Sequence, residues 1–152
     1  MSQVAVRPID RKDMDELLPL IAGYQAFYGA EPDGERNRTF FSRFLHPSDE
    51  GLLLGAWVDG SLAGFATLYW FFSSTKATDS VLMNDLFVRE EVRGAGIGRA
   101  LIQSALDEAK RRGAAHLEWF TAPDNLKAQR LYDSVAGANR STWLAYEIDA
   151  EG

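Results

Sequence analysis

The sequence contains no cysteine, which excludes disulfides, thiolate-held zinc and any acyl-cysteine intermediate. Its two histidines, His46 and His116, are too far apart in the chain to suggest a metal cluster. No apolar run approaches the ~18 residues of a membrane span, and the opening Met-Ser-Gln-Val-Ala-Val-Arg-Pro lacks a signal-peptide core. The expectation is a soluble, cytoplasmic protein. Basic charge is also short: 16 Lys and Arg against 22 Asp and Glu leave a net charge of −6, which argues against nucleic acid as a partner. That balance suits attraction of a cationic substrate, although acidity commonly serves solubility alone. What is present is core-forming: 46% hydrophobic residues, nine of them phenylalanine, in 152 residues. Such a chain is expected to fold as one ordered domain over residues 1–152.

Taken in order, Val4 to Arg7 reads as a short strand ended by Pro8. Asp10 or Asp13 caps a helix carrying Met14, Leu17, Leu18 and Ile21, which Pro19 should kink or delay. Glu35 to Leu45 reads as a second helix burying Phe40, Phe41 and Phe44. Leu52 to Val58 and Ser61 to Phe72 form a hairpin through Asp59-Gly60, the strongest local turn signal in the chain. Ser80 to Val88 is a central strand, followed by a helix from Gly98 to Arg112 and a strand from His116 to Phe120. Asn125 opens another helix, and Thr142 to Ile148 reads as a last strand. The order β-α-α-β-β-β-α-β-α-β contains a strand-helix-strand crossover, so the middle of the sheet should be partly parallel.

The organising stretch is Asp85 to Ile102. A strand ends at Leu86, Phe87 and Val88, glycines follow at 94, 96 and 98, and a helix carries Leu101, Ile102, Ala105 and Leu106 on one face. Glycine there permits left-handed backbone and close approach of a ligand, and a helix N-terminus presents N–H groups without intrahelical partners. Such a turn holds phosphate, with Arg93 and Arg99 bracketing it. The same residues serve equally as a tight turn with no ligand. Two other phosphate loops do not fit: the dinucleotide fingerprint needs its third glycine one residue later, and a Walker loop needs Lys-Ser/Thr after Gly98, where Arg99-Ala100 stands.

Arg93-Gly94-Ala95-Gly96-Ile97-Gly98 matches the pattern Arg/Gln-x-x-Gly-x-Gly/Ala. A second run, Asn125-Leu-Lys-Ala128-Gln-Arg-Leu131-Tyr132, matches Asn-x-x-Ala-x-x-Leu/Phe-Tyr at the corresponding distance. Together they resemble the GCN5-related N-acetyltransferases (GNAT family), over nearly the whole chain from Val4 to Ile148. Asn84-Asp85-Leu86-Phe87-Val88 brings it nearest in appearance to the diamine/polyamine and Hpa2-type members. The resemblance implies an α/β (α+β) GNAT fold, with a mixed, mostly antiparallel central sheet, a splayed parallel strand pair and about four flanking helices.

It also implies acetyl-CoA as acetyl donor. Leu86, Phe87 and Val88 would pair with the pantetheine arm, Arg93, Gly94, Ala95, Gly96, Ile97, Gly98 and Arg99 would wrap the pyrophosphate, and Asn125 would contact the cofactor. Read by itself, Asn125 is a plain helix cap. Acyl transfer from a thioester needs orientation, oxyanion stabilisation, a neutral amine and a proton for the thiolate. Without cysteine, direct attack by the amine in a ternary complex is the economical route. The Val88 N–H is the natural donor to the thioester oxygen, and Tyr132 the expected general acid, although as a residue it also suits a core position. The diamine pattern has glutamate where Asn84 stands, so Asp85, Glu118 or a water chain remains as base, with Asp85 preferred. Glu31, Asp33 and Glu35 border the acceptor side in the family, where they would attract a cationic amine or form only a solvated loop, and Trp70, Phe71 and Phe72 would line the acceptor pocket or serve as core and dimer surface. The expected partner is a small-molecule or peptide amine acceptor, a polyamine or lysine-like side chain, with a homodimer as assembly and no metal, nucleic acid or membrane. The alternative is a silent acyl-CoA-binding sensor or interaction module on the same fold.

Overall fold

The computed structural model describes residues 3–151, which fall into two compact units, one up to Phe120 and one from Thr121. In the first unit, β1 (Val4–Pro8), β2 (Gly51–Val58), β3 (Ser61–Ser73), β4 (Thr78–Val88) and β5 (Leu117–Glu118) form one sheet in that order. The first three neighbouring pairs are antiparallel, and β4 and β5 are parallel through Val81↔Leu117 and Leu82↔Glu118. The parallel pair therefore lies at the sheet's edge rather than its middle, and β3, not β4, is the central strand. The β2–β3 turn is where the sequence puts it: Asp59 and Gly60 both take positive φ, +51° and +81°, as a two-residue hairpin requires.

Three helices cover this sheet. The first, α1 (Met14–Phe27), begins upstream of Pro19 and runs through it. Asp13 stands at its N-cap position without a side-chain cap; its carboxylate accepts instead from the Asp10 N–H at 2.8 Å and from Arg7 at 2.8 Å, closing the 3-10 turn at Arg11–Asp13 that leads into the helix. The neighbouring guanidinium holds the Asp13 carboxyl below the usual carboxylate range, against a smaller opposing effect of burial. Next comes α2 (Gly34–Phe41), shorter than the sequence suggests, followed by a 3-10 turn at Ser42–Phe44. Met14, Leu17, Ile21, Phe41 and Phe44 join Leu53, Leu62 and Phe65 in one buried cluster. Phe40 is 39% exposed, a correction to the expected burial: Phe41 and Phe44 fill the inward positions and Phe40 falls to the rim of the helix. The alternate sheet positions Leu52, Leu54, Ala66 and Leu68 are also buried. The third helix, α3 (Ile97–Arg111), packs on β2, β3 and β4 and buries Ile97, Leu101, Ile102 and Ala105. No helix among the described residues is long and apolar enough to cross a membrane.

The second unit is built around α4 (Leu126–Asp133), where Asn125 accepts from the Ala128 N–H at 3.1 Å. Its return loop is tied by Arg140 to Asp133 at 3.1 Å and to Gln129 at 3.2 Å. Two sequence expectations fail. β5 stops before Trp119, and among the described residues no strand forms over 142–148. Trp143, Leu144, Tyr146 and Ile148 are all exposed. Alternation supplies a strand's two faces, but a strand closes no hydrogen bonds within itself and exists only against a neighbour's ladder.

Candidate functional site

The strand β4 changes character halfway along. β5 pairs with Val81 and Leu82, and from Met83 to Val88 no strand among the described residues pairs with the β5 side of β4. On its other side Leu86, Phe87 and Val88 stay in register with Ala66, Phe65 and Gly64 of β3, so the open edge is held rigid. Beyond Val88 the chain passes a 3-10 turn at Glu90–Val92 and enters the glycine loop. Gly94 and Gly96 take φ of +88° and +82°, and a Cβ on either would meet nothing within 4 Å. Backbone conformation rather than crowding demands glycine there. Gly96 is the N-cap of α3, no side chain caps that helix, and its carbonyl accepts from the Ala100 N–H at 3.0 Å. Ala95 is exposed, Ile97 is buried beneath the turn, and Gly98 and Arg99 complete the first turn. Arg93 folds back: its Nε donates to the Val88 carbonyl at 2.9 Å, and its guanidinium lies 5.7 Å from the Phe87 ring centroid. It ties the loop to β4 as well as lending it charge. An open strand edge leading into uncapped N–H groups fits a long ligand with an amide-bearing arm and an anionic end.

A second cluster sits on the α1 side of β4. The ladder pairs Thr67 with Asp85 and Leu68 with Met83, so Asn84 is an extra, bulged residue. A bulge re-aims the side chain beside it. Asn84 is exposed, while Asp85 is only 4% exposed. Asn84 Nδ2 donates to Asp85 Oδ1 at 2.9 Å, and the Tyr24 hydroxyl reaches the Asn84 carbonyl at 3.5 Å. Burial pushes the Asp85 carboxyl above the usual range, against the pull of the hydrogen bond from Asn84. Tyr24 and Tyr69 are raised in turn by burial and by the Asp85 charge, Tyr69 to about 12. Tyr24 also packs edge-on against Phe87, with centroids 6.3 Å apart, and against Tyr28 at 5.0 Å. Sequence reading found Asp85 but missed Tyr24, Thr67 and Tyr69 around it. The available signals were a threonine between Phe65 and Tyr69 on one strand face, and a tyrosine on the apolar side of α1.

The other sequence candidates scatter. Glu118 on β5 lies 3.9 Å from His116 Nε2. Asp33 caps α2 by accepting from the Arg36 N–H at 3.0 Å, and Glu31 and Glu35 are exposed beside it. Trp70 donates its indole N–H to Ser48 and carries the Arg112 guanidinium 3.7 Å above its ring centroid. Phe71 and Phe72 are exposed at the end of β3. In the second unit Asn125 uses its side-chain oxygen as the helix cap, which leaves its Nδ2 to donate elsewhere. Tyr132, seven residues on and half-buried, stands two turns along α4.

Residues 17–138 match the model of the acetyltransferase (GNAT) family. The chain belongs to this family. The D-amino-acid N-acetyltransferase HPA3 of Saccharomyces cerevisiae is 33% identical over 136 residues, covering 88% of this chain and 84% of the relative. An uncharacterized N-acetyltransferase of Bacillus subtilis, YhfO, is 33% identical over 128 residues, 84% of this chain and 85% of its own. A solved structure described as a probable acetyltransferase superposes with a TM-score of 0.82 at 28% identity, covering 99% of both chains. The mixed sheet with its β4–β5 parallel pair is thus a GNAT sheet, and the glycine loop at β4–α3 is the feature by which the family was legible.

Proposed function

We propose that this GNAT-family chain is an acetyl-CoA-dependent N-acetyltransferase that acts on a small primary amine, a polyamine or a lysine-like side chain, working as a single domain by direct attack in a ternary complex. The observation that carries this reading is the open β4 edge running into the left-handed turn of Gly94 and Gly96. Acetyl-CoA, when bound, supplies an activated thioester. Leu86, Phe87 and Val88 offer main-chain groups to its pantetheine arm, with the Val88 N–H as donor to the acyl oxygen. Residues 93–99 offer N–H groups and the charges of Arg93 and Arg99 to the pyrophosphate. Asn125 donates through Nδ2, and Tyr132 gives its phenolic proton to the departing thiolate. Asp85 takes up the proton released by the amine. HPA3 is named for acetylating D-amino acids, so a free amino acid joins the candidate acceptors. Phe71 and Phe72 supply apolar surface for a homodimer, and the site of action is the cytoplasm.

The test is thiol release from acetyl-CoA with spermidine, putrescine, lysine, D-amino acids and lysine peptides as acceptors. The chain has no thiol of its own to contribute background. Release that requires one amine class, and that falls roughly 10²-fold in Tyr132→Phe with acetyl-CoA affinity unchanged, supports the assignment. Acetyl-CoA binding without turnover for any amine supports the silent sensor instead.

A further inference from the structure

Phe87 lies on the α1 face of β4, where a Cβ at Gly23 would meet its ring at 3.1 Å. Arg89, whose N–H still donates to the Ala63 carbonyl at 2.8 Å, carries the alternation one residue past the strand and falls on the same side. Between this segment and α1 runs an open groove of about 840 Å³, in the size range of small-ligand sites. Its α1 wall is apolar, with Pro19, Leu20, Gly23 and a Phe27 that is 63% exposed. Its other wall carries Arg89 and Arg93. Arg93 donates its Nε–H to the Val88 carbonyl. Arg89 Nε is buried and has no hydrogen-bond partner among the described residues, and the Glu91 carboxylate stands 3.8 Å from it, outside bonding distance. A buried guanidinium N–H left unmatched costs free energy that a bound anion recovers. We propose, resting on the transferase reading above, that the acceptor is an α-amino acid whose carboxylate is held by Arg89 and whose apolar side chain lies along α1.

The charges of the groove select among the acceptors. Glu16, Glu90 and Glu91 also line it. Glu16 is engaged, accepting from the Leu62 N–H at 2.7 Å, while Glu90 and Glu91 are exposed on the turn after β4. Walls of both signs suit a zwitterion, with its carboxylate on the Arg89 fork and its ammonium arriving past the glutamates. A polyamine has no anionic group and would set its remaining ammonium charges beside Arg89 and Arg93, where like charges repel. The position suits the chemistry as well. Arg89 follows Val88, whose N–H is assigned to the acyl oxygen, and consecutive Cα atoms are about 3.8 Å apart. In an α-amino acid the carboxylate sits one carbon from the amine. An amine brought to about 3–3.5 Å from the acyl carbon therefore carries its carboxylate into the span of an arginine at this position. An apolar side chain laid against Pro19 and Phe27 covers surface that the fold leaves open to water.

The thiol-release assay on the full chain compares leucine with 3-methylbutylamine, the same molecule without its carboxylate. In Arg89→Gln, KM for leucine rises about 10- to 100-fold, while kcat and the KM values for acetyl-CoA and 3-methylbutylamine hold. Arg89→Lys, which keeps the charge but not the fork, falls between the two. Taking the variant-to-native ratio for each acceptor cancels the difference in their amine basicities. An equal rise for both acceptors overturns the subsite, and a rise in KM for acetyl-CoA in place of leucine overturns it by putting Arg89 on the cofactor. Unchanged kinetics in Arg89→Gln, or native turnover confined to amines without a carboxylate, overturns it as well. A native chain inactive toward every amine overturns the transferase reading, and calorimetry of leucine into the chain saturated with CoA then decides the subsite. Binding that Arg89→Gln abolishes supports it, whereas binding that survives Arg89→Gln, or no binding by the native chain, overturns it.

Discussion

At the scale of single residues, the proposed base sits where the fold bears a cost. Asp85 is a carboxylate in a buried cluster, and its folded pKa is raised. The unfolded chain therefore ionises first as pH rises through the ordinary carboxylate range, and folding loses stability until the folded pKa is passed. Asp85→Asn, which keeps the shape and most of the hydrogen bonds, is expected to melt a few degrees higher than the native chain at pH 7. That difference should vanish as pH falls below the unfolded carboxylate pKa, and thermal melts across pH check it. Equal melting at every pH would show that the carboxylate is not penalised. Activity should fall in the same variant, the trade expected where a penalised carboxylate serves as the proposed base.

At the scale of elements, the chain invests in two turns. The glycine loop depends on backbone that only glycine adopts freely: Gly96→Ala places a Cβ at φ +82°, at a cost of about 1 kcal/mol. Because open space surrounds that Cβ, the loss should show mainly as weaker acetyl-CoA binding by calorimetry, with only a small fall in melting temperature. The 3-10 turn that leads into α1 depends on Asp13, which joins the Asp10 N–H to Arg7. Asp13→Asn, which loses the charge in the bonds to Arg7 and the Asp10 N–H, should cost about 1 kcal/mol at neutral pH. Its folded pKa is depressed, so this contribution is present above the unfolded pKa and fades as pH falls through the folded value. The variant and native melting curves should converge in acid. Both turns were legible in sequence, the first as glycines at every second position, the second as Asp10 or Asp13 before an apolar period. The Asn84 bulge was not, because an extra residue in a strand shows only when the partner strand is placed beside it.

At the scale of the whole molecule, the net charge of −6 creates a field that concentrates cationic acceptors and is screened by salt. For a polyamine acceptor, kcat/KM should fall several-fold between about 0.05 and about 0.5 M salt, while for a zwitterionic amino acid it should barely move. Identical salt responses would remove steering from the account.

The sequence by itself determined the family, the β4–loop–α3 unit and the hairpin at Asp59-Gly60. These are local patterns, set by turn chemistry and by the period of apolar residues within one element. Only the tertiary structure decided that the parallel pair sits at the sheet's edge, that 142–148 forms no strand among the described residues, and that Asp85 is buried opposite Thr67 with Tyr24 against the neighbouring Asn84. Each of those depends on which chain segment lies beside which. Hydrogen-bond ladders and the desolvation of a carboxylate are properties of neighbours distant in sequence, and no periodicity within a segment encodes them.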